Sequence, residues 1–104
     1  MSELDQTIQE IKKSTDYQVN KRILHEKIQT DLHITYNNGL FKVTPELIAF
    51  LNSWDDAEII LEDTYNNPIV VKLFEFKELC KQHYYKVMNR WCILHEQLKR
   101  ERKV

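Results

Sequence analysis

Two cysteine–histidine pairs carry the most recognisable chemistry in this chain: Cys80-x-x-His83 and Cys92-x-x-His95. A three-residue step on a helix brings thiol and imidazole onto one face, where they could supply two ligands to zinc or pair a nucleophile with a base. The two pairs lie twelve positions apart, about 18 Å along a helix, so one ion cannot take all four groups. A zinc site would need His25, His33 or a second subunit. The same separation is far beyond disulfide reach, which suits a reducing, cytoplasmic setting. Covalent catalysis would also need backbone donors for an oxyanion, and the single glycine, Gly39, belongs to a predicted hairpin tip. Cys80 and His83 fall within an apolar helical stripe, where a buried thiol and a hydrogen-bonded imidazole are ordinary core features. No catalytic residue, cofactor or metal site is expected.

Carboxylates form the second group. Between Glu46 and Asp63 there are six acids and no base. Such a cluster could hold Mg²⁺ or work as an acid–base pair, but no EF-hand, Walker or HExxH pattern accompanies it. Asp55, Asp56 and Glu58 are read instead as part of a protein-docking face, against the plainer reading of solvated surface. The third group is basic. Lys99, Arg100, Arg102 and Lys103, with Lys86 and Arg90, could track phosphates, and Tyr85 could stack on a base. Basic residues are also favoured at any helix C-terminus, and the formal net charge of -1, from 15 basic and 16 acidic residues, gives no global attraction to a polyanion.

The elements that must position these groups follow from periodicity. Leu4, Ile8, Ile11, Thr15 and Val19 recur at helical steps, and Ile23, Leu24 and Ile28 continue on a rotated face. Ser14, Thr15 and Asp16 are weak helix formers, so either a kink or the meeting of two short helices is expected there. Residues 1–15 then form a projecting helical arm, and residues 16–31 a helix on the domain. Leu4, Ile8 and Ile11 are candidate partner contacts on that arm.

Thr-Tyr-Asn-Asn occurs twice, at Thr35–Asn38 and Thr64–Asn67. In the first hairpin, 32–44, Asn38-Gly39 predicts a type I′ turn, because both central positions need φ > 0. Tyr36 then opposes Phe41, Ile34 opposes Val43, and all four residues share one face. In the second, 58–74, Pro68 forbids that turn. A three-residue loop over residues 66–68 pairs Glu62 with Lys72 and puts Ile59, Leu61, Tyr65, Ile69, Val71 and Leu73 together. Asp63 is the misfit on that apolar side. Between the hairpins, Thr44 caps a helix over 45–54 with Pro45 at its first position and a stripe of Leu47, Phe50, Leu51 and Trp54. A long helix, 75–102, closes the chain, with Phe76, Leu79, Cys80, His83, Val87, Trp91, Leu94 and Leu98 as its stripe.

The expected fold is a single α+β, two-layer domain in the order α-β-β-α-β-β-α. Its two hairpins form one four-stranded antiparallel sheet against helices, with a long C-terminal helix. No run of 18 apolar residues suggests a membrane span. These features favour a small non-catalytic protein-interaction or regulatory protein with a protein partner and a possible homodimer through the terminal helices. A nucleic-acid-binding accessory protein using the basic helix is the alternative. The motif-free, Asn- and Tyr-containing character also suits a viral or mobile-element accessory protein.

Overall fold

The computed structural model describes the backbone of residues 3–102 and, within that range, the side chains of all but residues 3, 5, 9, 11, 13, 14 and 102. The element order is α1 (Glu3–Asp31), β1 (His33–Tyr36), β2 (Gly39–Lys42), α2 (Pro45–Asn52), β3 (Glu58–Glu62), β4 (Pro68–Lys72) and α3 (Leu73–Arg102). The α+β order matches expectation. The single four-stranded sheet does not form: β1 pairs only with β2 and β3 only with β4, each antiparallel.

The head of the molecule is built by the two hairpins, α2 and the start of α3. Phe41, Val43, Leu51, Val71, Leu73, Phe76 and Cys80 are buried together, with Ile34, Tyr36, Leu47, Ile59, Leu61 and Ile69 packed around them. Phe76 is the hub. Its ring meets Phe41 edge-on at 5.0 Å and Tyr36 at 5.1 Å between centroids, geometries that aromatic quadrupoles favour. Thr44 caps α2 as its sequence demands, with Oγ1 accepting from Leu47 N at 3.1 Å and Pro45 in the first turn.

Both hairpin registers differ from expectation, and each difference has a local cause. In β1–β2 the positive φ values belong to Asn37 (50°) and Asn38 (66°), not to Gly39. The turn therefore moves back one residue, so Tyr36 opposes Gly39 and Ile34 opposes Phe41. Asparagine tolerates this left-handed region because its short polar side chain can bond locally. Gly39 is needed for a different reason. A Cβ there would lie 2.7 Å from Ile69 Cγ1 and 2.9 Å from the Phe41 ring. In β3–β4, Ile59 opposes Val71, Leu61 opposes Ile69, Glu62 opposes Pro68, and Glu58 instead of Glu62 faces Lys72. The loop spans Asp63 to Asn67, Tyr65 is 69% exposed at its tip, and Leu73 opens α3. Both slips move a strand's partners by an even number of residues. The inward faces of the strands therefore survive.

The helices carry the fold outward. α1 and α3 run antiparallel, with Ile28, Leu32 and Val87 buried between them and Leu24, Tyr84, Met88 and Trp91 packed alongside. His83 Nε2 donates to the Asp31 carbonyl at 2.6 Å, and His25 meets the Trp91 ring at 5.8 Å. Continued at that register, α3 runs out near residue 13 of α1, so roughly the first ten residues of α1 extend beyond it. α1 does not divide into two helices but continues as one through Ser14, Thr15 and Asp16. Their propensity cost is only about 0.5 kcal/mol each, no glycine or proline interrupts the run, and Tyr17 is buried immediately afterwards. The result is a rod 68 Å long and 23 × 19 Å across. Its radius of gyration, 19.9 Å, far exceeds the roughly 13 Å of a compact domain this size. Its surface of 7829 Å² likewise exceeds the roughly 6,200 Å² of a compact globule.

Candidate docking face on the head

One acid organises the second hairpin. Asp63, 5% exposed, turns its carboxylate inward instead of joining the strand. Oδ1 accepts from Tyr65 N at 3.0 Å and Asn67 N at 2.8 Å, and Oδ2 from Leu40 N at 3.1 Å. The Asn67 amide is the main cause that holds its pKa below the usual carboxylate value. Burial pushes the other way, and the Leu40 and Tyr65 amides add to the lowering. Thr64 N returns a bond to Leu40 O at 2.7 Å, and Asn37 Nδ2 donates to Val70 O at 2.7 Å. These bonds engage Leu40 N and O on β2 and Val70 O on β4, where the two hairpins meet. The hairpins are thus joined at the tip, by side chains and one backbone bond, and no continuous ladder runs between them.

That arrangement leaves β3 at the outside. Leu73 N donates to Ala57 O at 3.0 Å and Asp63 N to Asn67 O at 2.9 Å. The antiparallel alternation then assigns the remaining ladder bonds to Ile59–Val71 and Leu61–Ile69. The N–H and C=O groups of Glu58, Ile60 and Glu62 point away from β4. Among the described residues no backbone hydrogen bond reaches them.

A groove of about 490 Å³ lies beside the first half of β3, lined by Phe50, Trp54, Asp56, Glu58, Ile59, Ile60 and, across the hairpin, Val70. Phe50 and Trp54 were expected in the stripe of α2, but they are 43% and 42% exposed. α2 buries its Leu47–Leu51 side, and residues 50 and 54 fall on the flank, where their rings pair at 5.8 Å. Ile60 and Val70, opposed across the hairpin, are 70% and 49% exposed. A second groove, of about 560 Å³, lies on the other side of Trp54, with Asp55, Asp56, Glu58, Glu75, Lys72, Lys77 and the 73% exposed Phe74 along it. The first groove carries acids only; the second carries both signs.

The other expected sites are dispersed. Leu4 and Ile8 are 68% and 55% exposed on the far part of α1. The Ile11 and Arg102 side chains and all of Lys103 lie outside the described residues. Arg90 Nη1 sits 3.8 Å from Asp31 Oδ2, and Lys99 Nζ 3.5 Å from Glu96 Oε1, so two of the expected phosphate contacts have acidic neighbours. Arg100 and Tyr85 are exposed. Tyr85 borders a shallow depression with Lys81, Gln82, Lys86 and Asn89. Lys72 and Lys77 share a groove with Asp55, Asp56 and Glu58, whereas the bases at the end of α3 are remote from these acids. Asp55–Glu58 stand at the start of α3 and Lys99–Arg100 near its end, about 40 Å away and several screening lengths apart at physiological salt.

The two cysteine–histidine pairs sit in different surroundings. Cys80 is fully buried in the head core, and burial pushes its thiol up to about 12. The His83 ring is committed to the Asp31 carbonyl. Cys92 is exposed. Among the described residues no three His, Cys, Asp or Glu side chains converge in a metal-binding arrangement, and no helix is long and apolar enough to cross a membrane. Sequence reasoning missed Phe50, Trp54, Ile60 and Val70 as surface residues. It also missed a basic and aromatic hollow of about 320 Å³ between the long helices, lined by Gln18, Lys21, Arg22, His25, Trp91 and His95. No family model, curated protein or solved structure matches the chain.

Proposed function

We propose that this chain is a non-catalytic protein-interaction module that docks a protein partner on the face of the head formed by α2 and β3. The observation that carries this reading is the contiguous exposure of Phe50, Trp54, Ile60 and Val70 along one acid-rimmed groove. Apolar surface exposed singly is common, but a contiguous patch bordered by charge is characteristic of interaction sites. Tryptophan and phenylalanine are also the side chains that give most binding energy when a partner covers them. Asp55, Asp56 and Glu58 border the patch and set the charge of what approaches.

Affinity capture from the native cell extract tests the proposal, run in parallel with the wild-type chain and with Trp54→Ala and Ile60→Glu. Both substitutions lie on exposed positions and should leave melting temperatures close to wild type. A partner retained by the wild type and lost from both variants is expected. Equal capture by all three proteins would remove this face from consideration.

A further inference from the structure

We infer that the groove receives its partner by strand addition: a basic, β-prone peptide pairs with the free edge of β3. This inference rests on the docking face just proposed and adds the mode and the chemistry of the partner. Three observations converge on it. First, β3 is an open edge whose outward backbone groups, at Glu58, Ile60 and Glu62, have no hydrogen-bond partner among the described residues, while Leu40 N and O on β2 and Val70 O on β4 are bonded by Asp63, Thr64 and Asn37 where the two hairpins meet. An extended peptide satisfies such a row directly. Second, the groove beside β3 is walled by Phe50 of α2, by Trp54 just past the end of that helix, and by Ile59 and Ile60 of β3. A strand lying there presents alternate side chains to the apolar wall and to the rim. Third, the outward side chains of β3 read Glu58, Ile60, Glu62.

The last point selects the occupant. If a second copy paired its own β3 antiparallel about Ile60, each Glu58 would oppose a Glu62, placing like charges directly across the ladder twice. Such pairs destabilise a sheet, and charged side chains on an edge are a recurrent guard against self-pairing. Lys or Arg at the same cross-strand positions would instead pair with both glutamates. Within the hairpin Lys72 stands across the ladder from Glu58 and Asn66 Nδ2 donates to Glu62 Oε1, while the residue opposite Glu62 is Pro68, so the outer side of the edge still carries two acids and no base. The occupant is therefore a strand carrying Lys or Arg at alternate positions around a central apolar residue.

The probe is a blocked seven-residue peptide alternating Val with Lys or Arg, titrated into the full chain by calorimetry and by amide NMR. Controls are the same peptide with Glu for every base, and the basic peptide N-methylated at alternate residues. On the protein side, Ile60→Pro removes one outward N–H and leaves the ladder to β4 untouched, a replacement that edge strands tolerate. The basic peptide is expected to bind, to shift the Glu58, Ile60 and Glu62 amides and to slow their hydrogen exchange. Ile60→Pro and N-methylation should each weaken it about tenfold or more, and the acidic peptide should not bind. The N-methylated peptide keeps the test decisive even if Ile60→Pro disturbs the fold.

Undiminished binding by the N-methylated peptide would overturn strand addition. So would the absence of any binding by the basic peptide, or self-association of the free protein that Ile60→Pro abolishes. In each of those cases the docking face stands or falls separately, on whether Trp54→Ala and Ile60→Glu lose the captured partner.

Discussion

Asp63 and Leu40, 23 residues apart in the chain, are joined from both sides. The Leu40 amide donates to the Asp63 carboxylate at 3.1 Å, and the Leu40 carbonyl accepts from the neighbouring Thr64 amide at 2.7 Å. The same carboxylate closes its own loop through Tyr65 and Asn67. One side chain thus sets the shape of one hairpin and its place against the other, and the open edge of β3 depends on that placement.

Acid should reveal this arrangement. The folded-state pKa of Asp63 lies below its ordinary value of 3.8, so the protonated form is favoured by unfolding. Its contribution is complete above the unfolded-state pKa and is lost as pH falls through the lower folded value. Thermal melts between pH 7 and pH 2 should show a decline that steepens below about pH 4. Asp63→Asn should melt several degrees lower at pH 7 and decline less on acidification. An unchanged acid limb in that variant would remove Asp63 from the account.

Gly39→Ala should destabilise the head by about 1–3 kcal/mol, the range for forcing a methyl into a packed site. The clash is with the Ile69 side chain and the Phe41 ring, not with backbone φ. The cost should therefore shrink when Ile69 is also changed to alanine, a coupling that denaturant titration of the four proteins in the cycle measures. An additive pair would place the strain elsewhere.

The two thiols should differ sharply. Cys92, exposed on α3, is expected to react with a thiol reagent at neutral pH within minutes, while Cys80 reacts only as the protein unfolds. Equal labelling of both in the native protein would mean that the head core opens readily.

Packing along the helical rod should be uneven. Ile28 is fully buried between α1 and α3, and Ile8 is 55% exposed beyond their contact. Ile28→Ala should cost about 2–5 kcal/mol and Ile8→Ala less than about 0.5 kcal/mol. Both values come from urea unfolding at one protein concentration.

The parts of this fold legible in the sequence are those fixed by neighbours in the chain. Thr44-Pro45 announces the start of α2 because capping is a matter of three residues. The inward faces of both hairpins are readable from alternation, which even an incorrect turn leaves intact. Non-local facts were not legible. Gly39 signals a left-handed turn by type, yet its missing side chain answers to Ile69, 30 positions away. Asp63 reads as a charged misfit until Leu40 is placed beside it. Phe50 and Trp54 share a helical stripe with Leu47 and Leu51, and only an eight-residue helix on a small head leaves that flank uncovered. The acidic run was visible at once; the open strand beneath it was not.

The chain's elongation gives it the character of a spacer. Ile28, Leu32 and Val87 are buried between α1 and α3, and the two long helices carry the molecule to a length of 68 Å. A partner seated on the acidic head is kept about 40 Å from anything that meets the basic residues near the end of α3. At physiological salt neither end senses the other's charge. The molecule is thus shaped like a ruler with two differently charged marks, the acidic head and the basic residues near the end of α3.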